Sequence, residues 1–487
     1  MSDESEEQKL LPVERVEAFE LEGPSKIKGW TEFHVRSMEE AKEMWEIAAP
    51  AILTSVAQFS IGFITTAYIG PLGQVELAAV SIVQNVLEGF VFGAMLGMGS
   101  AVETLSGQAV GAGDYQTLGI HLQRSFIITF ITALFLTPLY LFTSPLLKII
   151  HQDEIISEAA GNYAIWVIPQ LFAYAFNFPI QKFLQAQSKV WVMSVISVVV
   201  VGFHTFLNWL LVFRYGLIGA AIAGNISWWI IVFAQMIYIV SGFFPESWTG
   251  LSFSALTSLF EFLKISLASA LMLCLETWYP SIVIILVGWL PKANVAVDAI
   301  SICANMEFWT LMITYGFSAA VSVRVSNELG AGNHRAAKLA VGVTLVTSTL
   351  VGIMFAAVTV ATKDEFPKMF TSESAVIKET AKLGYFLAVA ILINSIQPVL
   401  HGVAVGAGWQ TQVGWINAVC YYLIGLPAGG LLGFKFQLGL QGIWFGVLSG
   451  LLLQTLVLLL MLLRTNWSDE VSHAEERIQL WTQPYQH

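Results

Sequence analysis

The sequence predicts an all-α polytopic membrane protein: twelve transmembrane helices in two six-helix lobes, related by a pseudo-twofold axis along the membrane normal. Three observations predict it. Of 487 residues, 56 % are hydrophobic and only 12 % charged, and the mean hydropathy is +0.69, more apolar surface than one water-soluble core hides. Windows of roughly 20 mostly apolar residues, the length that crosses a bilayer, recur twelve times. Short motifs also recur in order at a separation of roughly 220 residues, as a duplicated bundle requires. Val110-Gly111-Ala112-Gly113-Asp114 answers to Leu329-Gly330-Ala331-Gly332-Asn333, and Ala79-Val80-Ser81-Ile82 with Asn85 to Ala299-Ile300-Ser301-Ile302 with Asn305. Ala186-Gln187-Ser188 answers to Gly406-Ala407-Gly408, and Gly216-Leu217-Ile218-Gly219 to Gly439-Leu440-Gln441-Gly442.

Residues 1–29 are acidic and aperiodic, a disordered tail on the expected cytosolic side. They lack an apolar h-region, so no cleaved leader is expected. Glu6-Glu7-Gln8-Lys9-Leu10-Leu11 has the acidic dileucine form of a sorting address. Over residues 30–46 the spacing of Phe33, Met38, Ala41 and Trp45 predicts an amphipathic helix lying in the interface. The first lobe, residues 47–240, holds spans at Ile47–Gly70, Leu77–Val110, Ile120–Phe142, Ile155–Phe178, Trp191–Phe213 and Leu217–Val240. Residues 241–258, with Pro245, Glu246 and Trp248, form a cytosolic linker. The second lobe, residues 259–464, holds Leu259–Val287, Ala296–Val323, Ala336–Ala361, Val376–His401, Gln412–Gly433 and Leu440–Leu463, and residues 465–487 are a cytosolic tail. With both ends cytosolic, about fifteen basic residues fall on that side against about eight opposite, the bias that the positive-inside rule demands. An even number of spans per lobe inserts the copies the same way up, hence an axis along the normal.

The net charge of -11 resides largely in the polar ends, and no basic track for nucleic acid is present. Cys274, Cys303 and Cys420 lie inside apolar runs without metal-ligand spacing, so no metal is expected. The Gly-Ala-Gly turns follow no strand and match neither a phosphate loop nor a dinucleotide fingerprint. With no ATPase signature and no nucleophile/base pair in the spans, an enzyme is not expected. Energy then comes from an ion gradient, with no cofactor.

An ionised carboxylate at a helix centre costs about 2.5 to 3.5 kcal/mol, so each acid in a span needs a reason. Glu276, in Leu275-Glu276-Thr277-Trp278-Tyr279-Pro280, is either a buried neutral acid or a proton carrier; Pro280 is expected to open the helix one turn later. Glu307 lies comparably deep in the eighth span, and Asp298 starts that span, where capping competes with a site role. Glu88 poses the corresponding puzzle in the first lobe. Glu103 and Glu328 are expected to pair with Arg124, or with Arg324 and Arg335. Asn394, Gln397 and His401 share one face of the tenth span. At the repeat shift they fall opposite Tyr174, Asn177 and Gln181 of the fourth, so that two polar stripes line a cavity or bond between helices. Trp278, Tyr279 and Trp309 stand near these positions and could stack on a planar ligand.

Several blocks resemble the multidrug and toxic compound extrusion (MATE) family, in its plant detoxification-efflux branch near the transparent-testa type flavonoid transporters. They are Gly97-Met98-Gly99-Ser100-Ala101-Val102-Glu103-Thr104, Phe183-Leu184-Gln185-Ala186-Gln187-Ser188-Lys189, Cys274 to Tyr279, Ser322 to Asn333, and Gln397 to Gly406 with Trp409-Gln410. The resemblance implies two lobes around a V-shaped cavity, proton-driven antiport of small organic solutes, and a proton-coupling role for Glu276. Where many relatives carry a tenth-span aspartate this chain has Asn394, which leaves Glu307 as the second acid. The first span has no aspartate, so the first-lobe cation site of prokaryotic relatives does not transfer. The expectation is a monomeric antiporter of flavonoid glycosides or other plant metabolites and xenobiotics, in the vacuolar membrane rather than the plasma membrane. The alternatives are a channel-like path for chloride and a lipid flippase.

Overall fold

A computed structural model describes residues 30–150, 152–290 and 293–482, and every regular element among them is helical. The acidic tail and its dileucine sequence lie outside the described residues. Among the described residues, eleven helices are long and apolar enough to cross a membrane. One of them, Val190–Phe243, holds two spans. Gly216 interrupts it at φ +56° and ψ −132°, and a Cβ on Gly219 would strike the backbone of Leu211 and Val212. Eight residues of straight helix span about 12 Å, so the chain doubles back at Gly216 and the spans number twelve.

The duplication is visible in the backbone. Gly113 and Gly332 take φ +75° and +77°, Gly216 and Gly439 +56° and +59°, Ser188 and Gly408 +56° and +84°. Each pair occupies repeat-related turns, and the left-handed region explains the glycines there. Both ends of the twelve-span bundle fall on one side, here called the tail side.

On that side the second span, Gln74–Gly111, and the eighth, Ala293–Gly330, cross at the pseudo-twofold axis. A Cβ on Gly111 would meet the carbonyl of Asn327, and one on Gly330 the carbonyl of Gln108. These contacts are each other's repeat image. The hydrogen bonds around them are mirrored too: Gln108 donates to the Gly406 carbonyl at 3.1 Å, and Asn327 to the Ala186 carbonyl at 3.4 Å. Thr104 adds a bond to the Val405 carbonyl and accepts one from Gln410. Toward the other end of the same helices the repeat-related Asn85 and Asn305 are exposed and bond only to their own helices. The lobes are sealed on the tail side and part away from it.

Two expectations are corrected. The separate interfacial helix over residues 30–46 is continuous with the first span in one helix, Trp30–Ile69. Its early turns are held by packing: Glu40 accepts two bonds of 2.8 Å from the buried Arg324, which also pairs with Glu43 and Glu328 at 2.9 Å. Glu103 pairs with Lys182 at 2.7 Å rather than with an arginine. Arg124 instead binds the linker, donating to the Thr257 carbonyl at 3.0 Å, and Gln123 holds Gly250 and Ser252 beside it. The stretch after the twelfth span carries a helix, Trp467–Thr482. It lies across the sealed face, with Arg477 donating to the Ala407 carbonyl, Trp409 donating to Glu470, and Trp481 against His121 and Phe262.

Because the seal is backbone against backbone, Gly111→Val is expected to force it open. In a Ser326→Cys background it should raise labelling by a membrane-impermeant thiol reagent several-fold over the same cysteine with Gly111 intact. Arg324→Met would leave Glu40 buried without its partner, a change worth about 3 to 5 kcal/mol in soluble proteins, and should lower the unfolding temperature of the purified protein.

Candidate functional site

The polar core of the second lobe forms where the tenth span breaks. Its helix stops at Asn394 and resumes at Gln397, because Pro398 has no N–H to give and crowds the preceding turn. The Ser395 carbonyl at the gap accepts from Ser348 at 2.6 Å, and Gly352 leaves room for the Ser395 side chain. Pro280, by contrast, leaves the seventh helix, Leu259–Val287, unbroken. The opened backbone expected there lies in the tenth span instead.

Each side of the gap serves one acid. Asn394 donates a short hydrogen bond to Glu307 of the eighth span. Gln397 donates to Glu276 of the seventh at 3.1 Å, and His401 Nδ1 lies 2.7 Å from the other carboxylate oxygen. Histidine and glutamate side chains are only 5 % and 13 % exposed, so water does little to screen the pair. Tyr315 stands close enough to interact electrostatically with both acids.

The imidazole tautomer follows from a chain of donors. The Met272 carbonyl can only accept, so the Asn417 amide nitrogen faces it at 3.2 Å and the Asn417 oxygen faces Gln454. The Gln454 nitrogen therefore points at Asn417 and, at 2.8 Å, at His401 Nε2. Nε2 must accept, and the ring proton sits on Nδ1, donated to Glu276. The network holds an imidazole whose Nδ1 proton faces the carboxylate and whose Nε2 faces the Gln454 amide.

Thus Glu276, Gln397 and His401 meet in one cluster, with Asn394 and Glu307 in the adjoining one. Asp298 is exposed and stands apart from both. In the first lobe Tyr174 and Asn177 are buried, and Gln181 donates to Asn177 at 3.3 Å. The aromatic residues diverge. Trp278 stacks on Phe90 across the lobes at 4.4 Å, Trp309 meets Phe59 and Phe63 of the first span, and Tyr279 turns into its own lobe, stacked on Tyr421. Tyr421, Asn417 and Gln454 were not singled out by the sequence reading. Their signal was faint: lone polar groups inside the apolar eleventh and twelfth spans, of the kind that bond between helices.

Twelve spans in two like lobes, sealed at one face and carrying part-buried acids bonded between helices, are the architecture of a transporter rather than an enzyme. The MatE family model matches residues 50–210 and again residues 268–430, once in each lobe. The chain is 54 % identical over 445 residues to Protein DETOXIFICATION 33 of Arabidopsis thaliana, covering 91 % of this chain and 92 % of the relative. To Protein DETOXIFICATION 30 of the same plant it is 47 % identical, over 98 % and 95 %. Among solved structures, the eukaryotic MATE transporter AtDTX14 superposes with a TM-score of 0.87 at 32 % identity, over 91 % of this chain and all of that one. The Vibrio cholerae MATE transporter VcmN shares the fold, with a TM-score of 0.77 at 19 % identity over 92 % and 99 %. The chain belongs to the MATE family of multidrug and toxin efflux transporters.

The donor chain is testable directly. Gln454→Glu replaces a donor to Nε2 by an acceptor, so nitrogen NMR of histidine-labelled protein should show two protonated ring nitrogens on His401 instead of one. Gln454→Leu leaves Nε2 with only the longer, 3.4 Å approach of Gln397 and should cost about 1 to 3 kcal/mol, read as a lower unfolding temperature.

Proposed function

We propose that this transporter exchanges protons for organic solutes such as flavonoid glycosides, other amphipathic plant metabolites and xenobiotics. It works by alternating access as a monomer in the vacuolar membrane, with both termini cytosolic. The observation that carries the reading is Glu276: a carboxylate inside a transmembrane lobe, held by Gln397 on one oxygen and His401 on the other. A permanent charge there would be costly, whereas a charge that comes and goes is a device for coupling. Protonating one oxygen turns it into a donor facing a donor, so one of the two bonds is lost and the other weakened, freeing the lower half of the tenth span to repack against the seventh. Glu307, bonded to Asn394 across the gap, supplies the second acid that the missing tenth-span aspartate would otherwise supply. The aromatic pairs between the lobes offer faces for planar solutes, and the plant relatives' names support a detoxifying role. One pH unit is worth about 1.4 kcal/mol per proton, so a two-unit gradient supports on the order of hundredfold accumulation.

The test is flavonoid-glycoside uptake into acid-interior proteoliposomes. Wild type should accumulate solute only while the gradient stands, Glu276→Gln should abolish accumulation, and Glu307→Gln should weaken it. Asp298→Asn, at an exposed position, should change little. A chloride current surviving Glu276→Gln, or labelled-lipid translocation without solute uptake, would overturn the antiport reading.

A further inference from the structure

The first lobe has a part-buried acid that this mechanism leaves idle. In the second span a π-turn, Val83–Glu88, interrupts the α-helix and ends on Glu88; the eighth span, its repeat image, is one α-helix from Ala293 to Gly330. The stretch from Asn85 to Gly111 is one residue longer than that from Asn305 to Gly330, and a π-turn is how a helix absorbs one extra residue. Counted back from the crossing glycines, Glu88 falls on Glu307.

The surroundings correspond as well. Glu307 accepts from an amide of the tenth span, Asn394. Glu88 accepts at 3.1 Å from an amide of the fourth, Gln170, which lies one turn before Tyr174, the counterpart of Asn394. Gln170 also donates to the Tyr174 hydroxyl at 2.6 Å, and Gly224 of the sixth span leaves space for its carboxamide oxygen. Thr66 of the first span bonds Gln84 at 2.8 Å, and Gln84 bonds Tyr163. The titratable groups close enough to interact with Glu88 are Tyr163 and Tyr174 of the fourth span and Tyr140 of the third. The nearest ionisable group known from the packed seventh span is Cys274, against Gly93; Glu76 begins the second span roughly three turns away. Among the described residues no cation pairs with Glu88. Tyr140 is wholly buried, yet its hydroxyl has no partner, an expensive vacancy in a polar pocket.

We infer that Glu88 is a further proton-binding site, the first-lobe image of Glu307, and that each transport cycle loads and unloads one proton there. The inference rests on the antiport reading. With the carboxylate charged, Gln170 donates to it; when a proton from the open side adds to the carboxylate, the carboxyl swings to the Tyr140 hydroxyl, which lies beyond hydrogen-bond reach in this structure and is without a partner, and the new O–H donates to that oxygen. The ligand is the proton itself, since one carboxylate among neutral hydroxyls and amides suits a single O–H bond better than a metal's oxygen cage.

The experiment is pH-difference infrared spectroscopy on the full-length protein in liposomes, between about pH 4.5 and 8.5. It is paired with the proton-to-solute ratio in the proteoliposome assay. Glu88→Gln should delete one protonated-carboxyl stretch that Glu307→Gln retains, Tyr140→Phe should shift that band without deleting it, and the ratio should fall by about one proton in Glu88→Gln. Should Glu88→Gln fail to fold, the Tyr140→Phe shift still decides the point. A spectrum in which Tyr140→Phe shifts no carboxyl band and Glu88→Gln deletes none would overturn the site, and an unchanged ratio would overturn its part in coupling. The spectra need no gradient, so a wild type without proton antiport would refute the functional reading while still reporting whether Glu88 binds a proton.

Discussion

The structure depends on how closely two helices approach at one point. Where the second and eighth spans cross, Gly111 meets the carbonyl of Asn327 and Gly330 that of Gln108, a separation that no side chain on either glycine would permit. Around this crossing the lobes exchange matched hydrogen bonds from Gln108 and Asn327, the Arg324 cluster ties in the start of the first helix, and the last helix lies across the outside. Because the crossing sits on the symmetry axis, closing it brings the tail-side ends together and lets the opposite ends part. The cleft and the seal are two aspects of one geometry.

Within that frame each lobe solves the problem of a carboxylate in hydrocarbon by giving it an amide from the fourth helix of its own repeat. Gln170 serves Glu88, Asn394 serves Glu307 and Gln397 serves Glu276. Hydrogen bonds to the charged form make burial tolerable but keep it conditional, since adding a proton weakens the hold on the donor. The break in the tenth span sharpens this. It sets Asn394 and Gln397 on separate half-helices, so that two acids on neighbouring spans are read by two segments able to shift independently.

Much of the architecture was legible in the sequence. Composition and window length gave the spans, and the repeated Gly-Ala-Gly and Gly-Leu turns gave the two lobes, because positive φ at a turn leaves a glycine at the matching place. The cluster of Glu276, Gln397 and His401 was half legible: helical spacing put the tenth-span groups on one face but did not say which acid they would meet. Tyr279 was misplaced beside Trp278, since adjacent residues on a helix point about 100° apart and only the fold says which neighbour each finds. The role of Glu40 was hidden because its partner lies almost three hundred residues later. The unbroken helix at Pro280 and the broken one before Pro398 show that a proline permits a gap without dictating one; neighbouring groups such as Ser348 decide whether the freed carbonyl is satisfied.

The reciprocal glycine contact has a further consequence. Backbone meeting backbone is indifferent to the identity of every side chain elsewhere, so the barrier that holds one face shut makes no demand on what lines the chamber above it. Substitutions in those walls leave the glycine crossing itself unaltered.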